Sequence, residues 1–465
     1  MKILLINPHD LKEKYYYPFP QIALGHLSAA LKSNGFSEVK IIDFQLLGAD
    51  FAKVEEIFKK EKPEIIAIRF WSCYINTVKE YIKIARQLFG NKVRIIVGGP
   101  YPSVVPERAM KKFPEIDFAF AGEAEVGLPL LLQRINEDRE INYEDILGLV
   151  WRTKEDEIKI NSLSREKELE HFPIDWDNLN LEAYHKLRKR SPNFDWGKNK
   201  RGFIFTSRGC PYRCTYCSAS IINGAVVRYF SPTFVINDIK KLYYEHGARH
   251  FNILDDNFTF NKSYVIEFCQ EYLKNPLPGV TFSCPNGIRA DRIDEEMLVL
   301  MKKCGFVKLM IGIESGSPSI LKLMKKNLDL DKVKICVELM KKYKIQSWGF
   351  FILGYPGETV ETLKQTINFA LELPLDWASF SIFSPIPGTE VYQQLILKGK
   401  IDEEKYEMED YHSAKSYCES LSIKDLRRAQ KLAYFKFYLR FKQLLNLLKE
   451  TSSDVFTDVV KKVFR

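Results

Sequence analysis

Short apolar runs and helical stretches take turns along the first 140 residues. KILLIN at 2–7, VKIIDF at 39–44, EIIAIRF at 64–70, VRIIVGGP at 93–100 and IDFAFAGE at 116–123 are largely apolar. They lack regular polar gaps, as do parallel strands buried on both faces. Between them the period lengthens. Ile22, Leu24, Leu27, Ala30 and Leu31 recur at helical spacing and Gly35 follows as a C-cap residue. Further helices are expected near 52–60 and 77–89. Strand and helix in alternation predict an α/β fold with a parallel, doubly wound sheet. Such a sheet binds ligands at the carboxyl ends of its strands. Those ends carry Asn7-Pro8-His9, Trp71-Ser72-Cys73, Gly98-Gly99-Pro100-Tyr101-Pro102-Ser103 and Gly122-Glu123-Ala124-Glu125.

The pattern breaks over residues 141–199. WRTKEDEIKI reads as a small hairpin, and HFPIDWDNLN is polar and turn-rich, as in a linker. From Gly202 the alternation resumes with GFIFTSRGC, HFNILDD, VTFSCPN, FVKLMIGIES, SWGFFILG and WASFSIFSP. Six such strands with helices between them predict a partial (β/α)6 barrel. Residues 401–465 are charged and helical, with Tyr434, Phe435, Phe437, Tyr438 and Phe441 among lysines and arginines. A helix of this kind normally packs on a core; the alternative is an aromatic, basic face making peripheral contact with a membrane. The chain thus divides into 1–140, 141–199, 200–397 and 398–465.

At 465 residues, 46% hydrophobic and 28% charged, the chain is expected to be globular and multi-domain. No apolar run is long enough to cross a bilayer, and MKILLINP reads as a strand rather than a signal sequence. The nine cysteines show no disulfide-framework spacing, which points to a reducing, cytoplasmic setting. A net charge of +9 reads as a solvated lysine-rich surface, and no nucleic-acid signature accompanies it.

The chemistry concentrates in Cys210-Pro211-Tyr212-Arg213-Cys214-Thr215-Tyr216-Cys217. Three thiolates there suit a 4Fe-4S cluster with one iron left open. A structural zinc would want a fourth ligand, and the nearest later ones are His246 and Cys269. Zinc or a redox thiol set is the alternative. Cys269, Cys284, Cys304, Cys336 and Cys418 are scattered, as core cysteines are. No GxGxxG follows the first strand, which argues against NAD.

This spacing, with Tyr216 before the last cysteine, resembles the signature of the radical S-adenosylmethionine (SAM) enzymes. In that family the open iron binds the amino and carboxylate groups of SAM. An electron from an external flavodoxin- or ferredoxin-like donor then releases a 5′-deoxyadenosyl radical. The resemblance implies SAM contacts at Asp255 and Asp256 after the second barrel strand, Ser283 and Arg289 at and beyond the third, and Gly312 and Glu314 at the fourth. The loops Gly354-Tyr355-Pro356-Gly357-Glu358 and Pro385-Ile386-Pro387-Gly388-Thr389 are similar to those of the cobalamin-associated class. The run from Gly98 to Ser103, with Gly122-Glu123 beyond it, resembles the cobalamin-binding domain that precedes many of these enzymes. It implies cobalamin contacts at Ser72, Gly98, Gly99, Pro100, Tyr101, Gly122 and Glu123. The Asp-x-His-x-x-Gly motif that supplies a lower cobalt ligand is missing; His9 lies nearby without that pattern, so cobalamin is expected to bind without a protein histidine. Methylthiotransferases carry a second three-cysteine set in the first domain, where this chain has Cys73 alone. The resemblance implies an enzyme that takes hydrogen from an unreactive carbon of a small-molecule or lipid substrate and methylates it. A radical cyclase or rearranging enzyme without methyl transfer, and a non-catalytic iron–sulfur protein, are the rivals.

Overall fold

A computed structural model describes residues 1–9, 19–137, 142–187, 200–406, 415–440 and 443. In the first sheet, β1 (Ile3–Asn7), β2 (Val39–Asp43), β3 (Ile65–Arg69), β4 (Arg94–Gly98) and β5 (Phe118–Phe120) run parallel in the order β2-β1-β3-β4-β5. Each strand feeds two cores because successive side chains point to opposite faces. Leu4, Ile6, Ile66 and Ile68 join one cluster, and Ile3, Leu5, Ile65 and Ala67 join the other. This is the doubly wound domain that the apolar runs predict.

The hairpin read from WRTKEDEIKI is present, as β6 (Leu149–Arg152) and β7 (Ile158–Ile160). It is not a free-standing linker element. β6 pairs antiparallel with β5, Ala119 opposite Val150, and extends the first sheet to seven strands. The physical reason is the β5 edge, which β6 covers with the fully buried Leu149 and Val150. The passage after it is docked as well. A Cβ on Gly25 would lie 2.8 Å from Leu179 Cδ1, so only glycine lets the linker come this close. Ser28 donates to Asp175 (2.6 Å) and Asn178 to the Val39 carbonyl (3.0 Å).

In the second sheet, β8 (Lys200–Ile204) leads into a two-stranded ribbon of β9 (Ser207–Arg208) and β10 (Arg228–Tyr229) that brackets the cysteine loop. β11 (Ala248–Ile253), β12 (Thr281–Ile288), β13 (Phe306–Glu314), β14 (Gln346–Leu353) and β15 (Trp377–Ile382) follow. The six long strands are parallel and lie in sequence order, β8 to β15, so β8 and β15 are the two edges of an open barrel. Along β14, buried Gly349, Phe351 and Leu353 alternate with half-buried Trp348, Phe350 and Ile352. The buried face packs into the core under the helices and the half-buried face turns to the barrel interior.

The helix Ile423–Tyr438 packs on β15. Tyr434 and Tyr438 donate to Phe380 and Ala378 carbonyls (3.5 and 2.9 Å), and Phe437 is fully buried. The reading that offered this aromatic face to a membrane is therefore corrected: Tyr434, Phe437 and Tyr438 cover the barrel edge, Phe435 faces solvent, and Phe441 lies outside the described residues. Among the described residues no helix is long and apolar enough to cross a membrane.

Candidate active site

The cysteines follow β8 and β9, at the carboxyl end of the barrel. Gly209 makes the turn at φ +106°, and a Cβ there would run into the Val226 carbonyl. This lets Cys210 N–H reach the Gly224 carbonyl (3.0 Å). The far side of the loop is pinned through Thr215, whose N–H reaches Met324 O (3.0 Å) and whose hydroxyl meets Tyr355 (2.6 Å). Cys210, Cys214 and Cys217 are all free and half-buried. Burial pushes the Cys217 thiol up to about 12 and raises Cys210, so without a metal both stay protonated at neutral pH. Ala219 N–H points at the Cys217 sulfur (3.5 Å) and the Tyr212 backbone at that of Cys210. Free sulfurs met by backbone donors on a pinned loop fit an iron–sulfur cluster. Among the described residues no three His, Cys, Asp or Glu side chains group around one point, as the ligands of a single metal ion would.

The pair after β11 divides its work. Asp255 is buried and accepts from Thr206 N–H (2.7 Å), Thr206 hydroxyl (2.5 Å) and Ser207 hydroxyl (2.5 Å). Burial lifts its carboxyl to about 6. It ties β11 to the start of the cysteine loop. Asp256 faces the loop itself, accepting from Asn223 (2.9 Å) and from the Gly209 backbone, within electrostatic reach of Cys210 and Cys217. Arg289 is buried, paired with Asp291 (2.7 Å), donating to the Lys326 carbonyl (2.7 Å) and stacked on Tyr212 at 4.1 Å. It braces the cysteine loop from below. Ser283 lies apart from these groups, down the inner wall beside His250 and Asn252.

Glu314 ends β13 at φ +67°, a conformation that costs a non-glycine residue about 1 kcal/mol or more and persists only where the surroundings hold it. Its holder is Lys326, buried and 3.0 Å away. A Cβ on Gly312 would come within 2.7 Å of the Glu314 carboxylate, so glycine opens the space for this pair. Burial first, and then the Glu314 charge, raises the Tyr216 hydroxyl beside Cys214. Lys326 is the residue that sequence reading missed. It lies in a lysine run, and its one sequence signal is Asn327, a residue type that tolerates the left-handed conformation it adopts here.

On the first sheet, Gly98, Gly99 and Pro100 are accessible at the end of β4. Gly99 sits at φ +96°, and a Cβ there would touch Arg69 and the Phe70 backbone at 3.4 Å. Bare backbone at a strand end fits the edge of a large flat ligand such as a corrin. Tyr101 instead points inward, fully buried against Phe70 at 4.6 Å. Ser72 is buried. Gly122, at φ +74°, and Gly224 of the cysteine loop both pack on the Arg165 guanidinium. Glu123 is spent on an ion pair across the domains with Arg228 (2.9 Å), while Glu125 pairs with Arg208 (2.8 Å). Beneath the rim, Asn7 donates to Asp43 (2.9 Å) and Arg69 to Asn7 (3.3 Å), with burial lowering Arg69 to about 10. The His9 backbone N–H donates to the Tyr81 hydroxyl at 3.3 Å.

The two rims meet. A Cβ on Gly388, in the loop after β15, would lie 2.5 Å from the Val104 carbonyl. Arg108 donates to the Tyr392 hydroxyl (2.7 Å). A hydrogen-bonded line runs from Glu123 through Arg228 to the Asn223 carbonyl (3.0 Å), and from the Asn223 amide to Asp256.

Two family models match the chain, the B12 binding domain over residues 8–132 and the Radical SAM superfamily over residues 204–370. An uncharacterized methyltransferase of Pyrococcus horikoshii is 30% identical over 100% of this chain and 98% of its own length. The cytidylyl-2-hydroxyethylphosphonate methyltransferase of Streptomyces wedmorensis is 28% identical, over 87% of this chain and 83% of its own. Among solved structures, the radical SAM methyltransferase TsrM of Kitasatospora setae, with cobalamin and a 4Fe-4S cluster bound, matches with a TM-score of 0.70. It is 21% identical and the match covers 86% of this chain and 78% of that one, a likeness of fold.

Proposed function

We propose that this chain, which belongs to the radical SAM superfamily and carries a B12 binding domain ahead of its barrel, is a cobalamin-dependent methyltransferase acting on an unactivated carbon of a small molecule. The observation that carries this reading is the meeting of the two strand-end rims, at Gly388 against Val104 and at Glu123 with Arg228, which supports a shared site between the Gly98–Pro100 backbone and the cysteine loop. The methyltransferase names of both curated relatives support it. When bound, the cluster and SAM supply a 5′-deoxyadenosyl radical and cobalamin supplies the methyl group.

The chain's own part is to bind, orient and shield. Cys210, Cys214 and Cys217 hold the iron. Asp256, whose carboxyl is raised by burial, takes the SAM ammonium, and that charge favours the ionised carboxylate. Lys326 faces the methionine carboxylate, held there by Glu314. Gly312 and Tyr216 border the adenosine, and the backbone at Gly98, Gly99 and Gly122 meets the corrin edge. The interdomain pairs of Glu123 and Glu125 close the cleft to water. The electron comes from an external flavodoxin- or ferredoxin-like protein.

Protein reconstituted anaerobically with iron, sulfide and cobalamin is to be mixed with dithionite, methyl-labelled SAM and a cell extract. Release of 5′-deoxyadenosine together with label in a new product is the expected result. 5′-Deoxyadenosine without transferred label is the outcome of a cyclase or rearranging enzyme. Intact SAM is the outcome of a non-catalytic iron–sulfur protein, and it overturns the proposal.

A further inference from the structure

The inner wall of the barrel carries a polar ladder that plays no part in holding the cluster or SAM. His250 lies opposite Thr281 in register, and Asn252 opposite Ser283. The other face of these strands is Phe251 and Phe282, packed together at 5.9 Å within the core under the helices. The ladder therefore faces the barrel interior.

Its hydrogen bonds run one way. The Ser283 hydroxyl donates to Asn252 Oδ1 (2.7 Å), so its oxygen is left to accept from His250 Nε2 (3.0 Å). That places the imidazole proton on Nε2, and the Thr281 hydroxyl donates to Nδ1 (2.8 Å). Burial, then the charges of Arg201 and Lys308, lowers His250 to about 3, so the ring is neutral throughout this chain of bonds. The line ends at the Asn252 amide nitrogen. That residue is 3% exposed, and the nitrogen has no partner. Donors at the end of an aligned chain are polarised by the links behind them and call for an acceptor. Lys308 stands in register with Ser283 and Arg201 with His250, and both charges are felt at the His250 ring. Trp348 and Phe350, half-buried on β14, supply flat apolar surface on the same inner face.

We propose that Asn252 anchors an oxyanion of the substrate, a carboxylate or phosphoryl group, while the substrate's flat apolar body lies against Trp348 and Phe350. The inference rests on the radical SAM reading for the position of the reacting carbon. Asn252 lies within β11, one residue before its end at Ile253, and Asp256 lies beyond that end beside the cysteine loop, so the substrate is held at one end and attacked at the other.

The test is equilibrium binding to the reconstituted full chain, read by tryptophan fluorescence, with benzoate, phenylphosphonate and neutral benzyl alcohol as probes. At least one oxyanion is expected to bind about tenfold or more tighter than benzyl alcohol. The tighter of the two says whether the group is a carboxylate or a phosphoryl. Asn252→Leu, which removes the donors, and Asn252→Asp, which presents an acceptor, are each expected to weaken that binding about tenfold or more, with SAM affinity unchanged. Should either variant fail to fold, Asn252→Ser takes its place. Equal binding of benzyl alcohol, undiminished oxyanion binding in Asn252→Asp, or no binding by any probe overturns the proposal. The assay needs no turnover, so absent SAM cleavage would sink the methyltransferase reading and leave this result standing.

Discussion

Two charges of opposite sign, the half-buried Asp256 and the buried Lys326, lie within reach of the Cys210 sulfur. Their chain positions differ greatly in legibility. Asp256 follows an apolar strand and belongs to a short acidic motif, so sequence points to it. Lys326 sits among neighbouring lysines, and only the turn after β13 carries it back to Glu314. Replacing Asp256→Asn keeps the shape and the Asn223 neighbour but removes the charge an ammonium would meet. SAM affinity by equilibrium dialysis is expected to fall about 10- to 100-fold, the worth of a charge-assisted bond, with iron content intact. Gly209→Ala should act differently. It puts a Cβ on the Val226 carbonyl at φ +106°, costing about 1–3 kcal/mol of local strain. Iron and sulfide per chain are expected to drop after reconstitution, because the loop no longer closes on Gly224. Tyr101 and Glu123 show the limit of motif reading from the other side. Their types and spacing resemble cobalamin contacts, yet one is packed into the core and the other into an ion pair.

At the scale of elements, the helix Ile423–Tyr438 behaves as the missing cover of an open barrel. β15 is an edge strand, and the helix meets it with Tyr434 and Tyr438 on the Phe380 and Ala378 backbone and Phe437 against Phe380, while Leu426 packs by Gly354. Hydrophobic spacing revealed the apolar stripe, but a stripe has the same period whether it meets a strand or a lipid. Phe437→Ala should cost about 3–5 kcal/mol, read as a lower urea midpoint with the far-UV helical signal still present before the transition. The hairpin β6–β7 teaches the same lesson. Its turn residues were visible, whereas its docking on β5 depended on which edge lay exposed beside it.

Across the whole molecule, the two domains meet rim to rim, and His26 sits where they join. Its Nδ1 meets the Phe172 carbonyl of the linker at 2.7 Å, and its ring stacks near Phe230 of the barrel at 6.3 Å. Burial, and then Arg208, lowers it from 6.5 to about 4, with Glu125 opposing. A folded value below the unfolded one means that the fold favours the neutral ring. This contribution is fully present above pH 6.5 and is lost as pH falls toward 4. It amounts to about 3 kcal/mol, from roughly 1.4 kcal/mol per unit. His26→Gln removes the titration. The stability difference between wild type and variant, measured by urea unfolding, is expected to shrink by about that amount between pH 7 and pH 4. A constant difference would show that the ring does not titrate in this window.

What the chain determined by itself is local: which runs form strands, where helices begin and stop, and that three thiols stand within one loop. These follow from side-chain period, turn chemistry and spacing, which act over a few residues. The tertiary structure alone decided which strand-end groups look into the cleft, that Lys326 joins Glu314, that Glu123 locks the domains, and that a hydrogen-bonded ladder inside the barrel ends on a bare amide. Those depend on contacts between residues far apart in the chain, set by how two sheets twist and meet, and no short-range pattern encodes them.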